Sequence, residues 1–216
     1  MDDFHQRLIR IGLDALAADG GYALAGGYAI QAHHFIERRS DDVDLFVPIE
    51  RRHEMPTATA RIIAAYERAG LHAQVRQQAD TYVRLDVADP VLGRTVKVEL
   101  VAEFLMNPPV LSDLGPVLHP DDVAAGKIEA LFTRAEVRDF IDVDALLRGG
   151  YSRRQLIDLA KRRDAGFDES VLADMFGSLR RLSDRQFAIY GIPPAAIQAI
   201  RDQFADWQQE LRPSQP

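Results

Sequence analysis

The chain has 216 residues, 47% apolar and 27% charged, which is enough for one large domain or two small ones with a real core. It has no cysteine, and this excludes a disulfide framework and a thiolate metal site. The net charge of −7 argues against a general nucleic-acid binder, but it is unevenly spread: residues 1–150 carry 16 Lys and Arg against 24 Asp and Glu, and residues 151–216 carry 10 against 9.

The first segment, "MDDFHQRLIRIGLDAL", is charged and amphipathic and lacks the unbroken apolar run of a signal peptide. No stretch of about 18 apolar residues occurs, so no membrane span and a cytoplasmic location are expected. Leu8, Ile11, Leu13, Leu16 and Ala17 fall at helical spacing and predict a helix over 4–18. "GGYALAGG" brackets a short apolar run with glycines, which predicts a short strand and a tight turn. "YAIQAHHFIE" reads as a helix, and "VDLFVP" as a strand ended by Pro48. The next helix runs from Arg51 to a glycine cap at Gly70. "YVRLDVAD" and "RTVKVELVAEF" alternate apolar and polar residues and, joined by "DPVLG", should pair antiparallel. "HPDDVAAGKIEALFTR" predicts a helix with Asp121 or Asp122 as its N-cap, and "AEVRDFIDVDALLRGG" a second one stopped by glycines. Residues 152–211 read as further helices broken at "GIPP", with "RPSQP" a frayed tail. The order is that of an α+β protein: a small mixed sheet with helices over residues 1–118, then a helical domain over 119–216.

The chemistry starts at "RRSDDVDLFVP". In a strand, residues two apart share a face, so Asp42 and Asp44 project together while Val43 and Leu45 turn to the core. Like charges on one face need a cation, and Mg²⁺ prefers hard oxygen ligands. In "TVKVELV" the same alternation puts Lys97 and Glu99 opposite Val96, Val98 and Leu100. If that strand lies beside "VDLFV", Glu99 completes a three-carboxylate site; Asp86, on the polar face of its partner strand, is the competitor. Gly26 and Gly27 end the short strand and open a helix, a turn through which backbone N–H groups approach a phosphate. His33 and His34 are adjacent on the expected helix and so point apart, which favours packing over metal binding.

"GGYAIQAHHFIERRSDDVDLF" resembles the first motif of the nucleotidyltransferase superfamily, and in particular that of the AbiEii/AbiGii toxin group, a double glycine followed by R-x-S/T-x-D-h-D. Arg38, Ser40, Asp42 and Asp44 match position by position, and Tyr28 stands where the group often has Ser or Thr. "GKIEALFTRAEVRDFIDVDALL" resembles its later motif, K-x6-R-x3-R-D-x2-D-h, through Lys127, Arg134, Arg138, Asp139 and Asp142. Lys127 and Arg134 are seven apart, hence on one helix face at about 10 Å, where two cations meet a triphosphate. Asp139 is placed to act as a general base or to hold an arginine.

The resemblance implies a nucleotidyltransferase-like catalytic domain and transfer of an NMP from an NTP to an acceptor with release of pyrophosphate. It implies Mg²⁺ (or Mn²⁺) on Asp42, Asp44 and Glu99. It implies NTP binding by Gly26, Gly27, Arg38, Ser40, Lys127, Arg134 and Arg138, with Asp139 among the catalytic residues. It further implies a toxin with a cognate antitoxin, acting on tRNA 3′ ends. The arginine doublets at 153–154, 162–163 and 180–181 would then face the tRNA, against the plainer expectation of solvated helix surfaces. A protein or a small molecule such as an aminoglycoside is the alternative acceptor, favoured by the acidic excess of residues 1–150. A non-catalytic nucleotide- or partner-binding module is the third reading.

Overall fold

The computed structural model describes residues 2–17 and 20–212. Ala18 of the expected first helix and residues 213–216 of the expected frayed tail lie outside the described residues. The chain divides into two compact units, Met1–Val123 and Ala124–Pro216.

In the first unit, α1 (Asp3–Leu16) starts at Asp2, whose carboxylate accepts from the N–H groups of Phe4 and His5. The unit continues through β1 (Ala23–Leu24), α2 (Gly26–Ala32), β2 (Asp42–Pro48), a 3-10 turn (Ile49–Glu54), α3 (Met55–Arg68), β3 (His72–Ala79), β4 (Tyr82–Asp89), β5 (Arg94–Glu103), β6 (Val110–Ser112) and β7 (Gly115–Val117). The strands form one mixed sheet in the order β3-β4-β5-β2-β1-β7-β6. β2 runs parallel to β5, and β1 parallel to β7; β4 and β5 pair antiparallel as their alternation predicts. One face of the sheet is apolar: Val43, Leu45 and Val47 on β2, Val96, Val98 and Leu100 on β5, and Val83, Leu85 and Val87 on β4 are all buried. Helices α1 and α3 pack together, and the Tyr66 hydroxyl donates to the Leu8 carbonyl at 3.1 Å. Gly12 permits the close approach, because a Cβ there would lie 3.1 Å from the Tyr66 hydroxyl and 3.2 Å from the Ile62 side chain. The carboxylates are therefore left for the polar face.

Four elements differ from the sequence expectation. α2 is seven residues long rather than reaching residue 37. His34 takes φ +59°, the Phe35 N–H returns to the Ile30 carbonyl and the His34 N–H to that of Gln31, a helix-ending pattern usually built on glycine. Neither His33 nor His34 is thus inside the helix, and the His33 ring bonds the Leu118 carbonyl at 2.7 Å. β3 was not expected, because "HAQVRQQA" is exposed on both faces and has no period-two signal. The three-residue strands β6 and β7 are too short to show a period.

α4 (Pro120–Thr133) leads from the first unit into the second. Neither Asp121 nor Asp122 caps it. The His119 carbonyl accepts the first helical bond from Val123, and Pro120 takes the first helical position. Asp122 instead accepts from the backbone N–H groups of Met106 and Asn107 at 2.7 and 3.1 Å. The second unit adds α5 (Val137–Arg148), α6 (Arg153–Arg163), α7 (Glu169–Phe176), a 3-10 turn (Gly177–Arg181), α8 (Asp184–Ala188) and α9 (Pro194–Leu211). Its core is an aromatic cluster in which the Phe204 ring lies 5.0 Å from those of Phe140 and Phe176. Trp207, fully buried, joins it at 5.0 Å from Phe176.

Phe204→Ala should therefore cost the helical unit about 3–5 kcal/mol. Urea unfolding followed through the fluorescence of Trp207, the chain's single tryptophan, measures it. A loss below about 1 kcal/mol would show that the cluster is not the unit's core.

Candidate active site

The parallel pairing of β2 with β5 sets the geometry of the first cluster. Asp42 lies opposite Lys97 and Asp44 opposite Glu99, so two successive rungs on the polar face carry three carboxylates and one ammonium. Lys97 Nζ is 2.9 Å from Asp42 Oδ2 and 3.2 Å from Glu99 Oε1. The Tyr82 hydroxyl on β4 donates to Glu99 Oε1 at 2.5 Å, and Glu99 also shares a side-chain hydrogen bond with Asp44. Burial works to raise the Glu99 pKa, but the bonds to Tyr82, Lys97 and Asp44 hold it below the usual glutamate value. Burial likewise opposes the charge on Lys97, and Asp42 and Glu99 outweigh it, so the Lys97 pKa is raised. Burial and Glu99 push the Tyr82 hydroxyl up. Asp86, the competitor of Glu99, lies one strand further out opposite Lys97 and is engaged by Arg76 at 2.6 Å. Asp41 faces away and pairs with Arg39 at 3.0 Å, more than half exposed.

The two glycines are packed closely by the loop that follows them. Gly26 takes φ +59°, and a Cβ there would lie 1.8 Å from Asp44 Oδ2. A Cβ on Gly27 would lie 2.4 Å from Ser40 Oγ and 3.4 Å from an Arg38 nitrogen. The missing side chains thus make room for Asp44, Ser40 and Arg38 to fold against the turn. Arg38 and Ser40 are both largely buried, and Arg38 donates to the Arg39 carbonyl at 2.8 Å. Tyr28 lies behind this loop. Its hydroxyl donates to the Ser40 carbonyl at 3.2 Å and contacts His5 Nδ1, whose pKa burial lowers. Tyr28 thus braces the loop from inside.

The second motif lies in the helical unit, and two of its ion pairs end on aspartates. Lys127 Nζ is 2.8 Å from Asp142 Oδ2, an oxygen on a fully buried side chain of the neighbouring helix. Arg134 falls just past the end of α4 and grips Asp139 with a fork, Nε to Oδ2 at 3.0 Å and Nη2 to Oδ1 at 2.8 Å. The Glu136 N–H also donates to Asp139 Oδ2 at 3.0 Å, closing a capping box at the start of α5. Asp139 thus holds Arg134 with both oxygens. Arg138 Nε pairs with Glu136 at 3.0 Å.

The arginine doublets are only partly a surface. Arg153 pairs with Asp206 and Glu210 at 2.8 and 2.6 Å and lies over the Trp207 ring, and Arg163 meets Glu129 at 2.8 Å. Arg154 pairs with Asp158 at 2.9 Å, while Arg162, Arg180 and Arg181 are exposed.

Sequence reasoning assembled the residues of the first cluster but left Lys97 and Tyr82 out of the site. The alternation around Lys97 already put it on the face of Glu99. Tyr82 needs the antiparallel register, which pairs its strand neighbour Arg84 with Glu99.

This arrangement, carboxylates on parallel strands beside a glycine turn and followed by a helical unit, is that of a nucleotidyltransferase. The family described as nucleotidyl transferase AbiEii toxin, type IV TA system, matches residues 7–214, and the chain belongs to it. The fold is similar to that of JHP933 from Helicobacter pylori, at 16% identity and TM-score 0.61, over 98% of this chain and 93% of that one. It is also similar to MenT4, a nucleotidyltransferase toxin from Mycobacterium tuberculosis H37Rv, at 15% identity and TM-score 0.61, over 97% and 84% of the two chains. No curated protein matches the sequence.

Two substitutions separate the roles of these residues. Gly26→Ala forces Asp44 aside and should lower nucleotidyl transfer by roughly 100-fold or more, measured with labelled NTP. Asp139→Ala should cost about 1–3 kcal/mol of stability in urea unfolding, since the Glu136 N–H and the Arg134 fork lose their acceptor.

Proposed function

We propose that the protein transfers a nucleoside monophosphate from an NTP to a hydroxyl at an RNA 3′ end, that of tRNA, and releases pyrophosphate. The observation that carries this reading is the meeting of Asp42, Asp44 and Glu99 on two adjacent rungs beside the loop that holds Arg38 and Ser40. The cluster suits Mg²⁺ or Mn²⁺ in kind: three hard oxygen donors crowd one face, and an ammonium already stands where positive charge is needed. A bound divalent ion supplies neutralisation of the triphosphate and a more acidic acceptor hydroxyl.

The chain's own residues do the rest. Gly26, Gly27, Arg38, Ser40 and Lys127 hold phosphates, with Arg134 and Arg138 as further phosphate ligands, Arg134 aligned by Asp139. The acceptor oxygen attacks the α-phosphorus, the bond to the pyrophosphate oxygen breaks, and the acceptor's proton passes to the carboxylate cluster. Positioning and charge neutralisation supply most of the rate, as in other phosphoryl transfers. The domain that carries out this transfer is residues 1–118, with 119–216 contributing NTP and acceptor contacts. Membership of a toxin–antitoxin family supports a cognate antitoxin as partner; on the proposed reading, toxicity follows from tRNA ends that cannot be charged. No helix among the described residues is long and apolar enough to cross a membrane.

A second acceptor class, a cationic small molecule such as an aminoglycoside, has support of its own. Residues 1–150 hold 24 acidic against 16 basic side chains, and Arg153 and Arg163 are spent on internal pairs. Incubation with labelled NTPs and either total tRNA or an aminoglycoside panel distinguishes the two. With the right acceptor, Asp42→Ala and Asp44→Ala should lower transfer by roughly 1,000-fold or more, whereas Asp41→Ala should be nearly silent. Label on tRNA that survives Asp44→Ala sinks the RNA reading as an activity of this site.

A further inference from the structure

We infer that the Lys97 ammonium is the resident cation of the carboxylate cluster, and that a divalent ion competes with it, taking its place readily only together with a nucleoside triphosphate. The inference rests on the reading of Asp42, Asp44 and Glu99 as the metal-holding carboxylates.

Lys97 is delivered to the cluster by the sheet. It lies opposite Asp42 in the β2–β5 register and two residues from Glu99, so it shares their face by construction. Its ammonium spans the two carboxylates at 2.9 and 3.2 Å, and its side chain is only 26% exposed. Among the described residues, no three acidic or histidine side chains stand close enough to ligate one ion together. The carboxylates are spaced around an ammonium, and its nitrogen occupies the ground that a shared ion needs.

The other walls of the cluster are fixed. Asp44 is folded against the bare Cα of Gly26, and Glu99 is held by Tyr82. Lys97 is the part that moves cheaply, a point charge on a flexible four-carbon stem. Charge explains when it moves. Three carboxyl groups, one proton shared in the Asp44–Glu99 hydrogen bond and one ammonium leave the cluster negative, enough to attract a divalent ion, but the ion must approach the ammonium at close range. A triphosphate adds negative charge on which the ammonium and the metal can both settle. Lys97 thus keeps the empty site folded and discourages metal binding without nucleotide.

The test measures Mn²⁺ binding to the full chain without nucleotide, by the loss of the free-ion resonance signal, for wild type, Lys97→Met, Lys97→Gln, Lys97→Arg and Asp44→Asn. The expected result is that Lys97→Met and Lys97→Gln bind Mn²⁺ at least about tenfold more tightly than wild type, with Lys97→Arg like wild type and Asp44→Asn not binding. In chelator the two neutral variants should also melt below wild type, and Mn²⁺ should restore them. If either folded neutral variant binds Mn²⁺ no more tightly than wild type, while binding still depends on Asp44, the Lys97 inference is overturned and the metal-holding carboxylates stand. Absence of Asp44-dependent Mn²⁺ binding in every variant, even with ATP added, overturns the metal reading and the inference with it. Lys97→Gln guards against a poorly folded Lys97→Met, because its amide retains donors for Asp42 and Glu99.

Discussion

The register between β2 and β5 is the constraint from which the site follows. Asp44 must oppose Glu99, and Asp42 must oppose Lys97. A slip of one residue would turn every side chain of a strand to the other face, burying carboxylates and exposing valines. What forbids the slip is the apolar face: Val43, Leu45 and Val47 against Val96, Val98 and Leu100, all almost fully buried. The core therefore does more than stabilise the unit. It selects the register that brings three acids and a lysine together, and the cost of that crowding is carried by contacts the core does not make.

Those contacts form a bracing layer. The glycine turn yields its volume to Asp44 and Ser40. Tyr82 reaches Glu99 from β4, and Tyr28 holds the Ser40 carbonyl from behind, with His5 against its hydroxyl. Each is a polar group that burial would penalise alone and that is satisfied here by a named partner. The bracing also accounts for the tyrosine at position 28, where the related group often has a small hydroxyl residue. Its phenol is buried at 2% exposure and stabilises the loop backbone, so the position contributes shape to the loop.

Legibility in the sequence tracked how much of an element is buried. Helices α1 and α3 and strands β2, β4 and β5 each bury one face and show a period, whereas α5, buried at every residue from 139 to 146, is marked in the sequence by its glycine stop. The sheet face of Asp42, Asp44, Lys97 and Glu99 follows from that period alone. β3 buries neither face and gave no signal, although it pairs with β4 along its length. The end of α2 turns on His34 entering a left-handed conformation, which residue type does not announce. Side-chain commitments were the least legible. "VRD" does not tell which arginine Asp139 holds, and only the structure shows the fork from Arg134 with the bond from the Glu136 N–H. The arginine doublets illustrate the same limit: a run of charge does not tell which guanidinium turns inward, as Arg153 and Arg163 do.

The two ion pairs of the helical unit show how one chain uses the same pairing for two purposes. Asp142 is fully buried, and a buried carboxylate without its cation is costly, so Lys127 is held in place as firmly as Asp142 needs it. An ammonium has three donors, and one bond to Asp142 fixes where the others point without consuming them. Arg134 stands differently. Its fork to Asp139 uses two donors in one plane, and 46% of its side chain remains exposed. Lys127 is therefore a preset point charge, and Arg134 an exposed cation aligned from below. In both cases the aspartate sets the direction of a cation, as Asp42 and Glu99 do for Lys97. Across the molecule, acids and bases are matched before any substrate arrives, and a net charge of −7 leaves the balance to be completed by cations from outside. For a protein whose family handles triphosphates, that ordering keeps the folded state satisfied when nothing is bound.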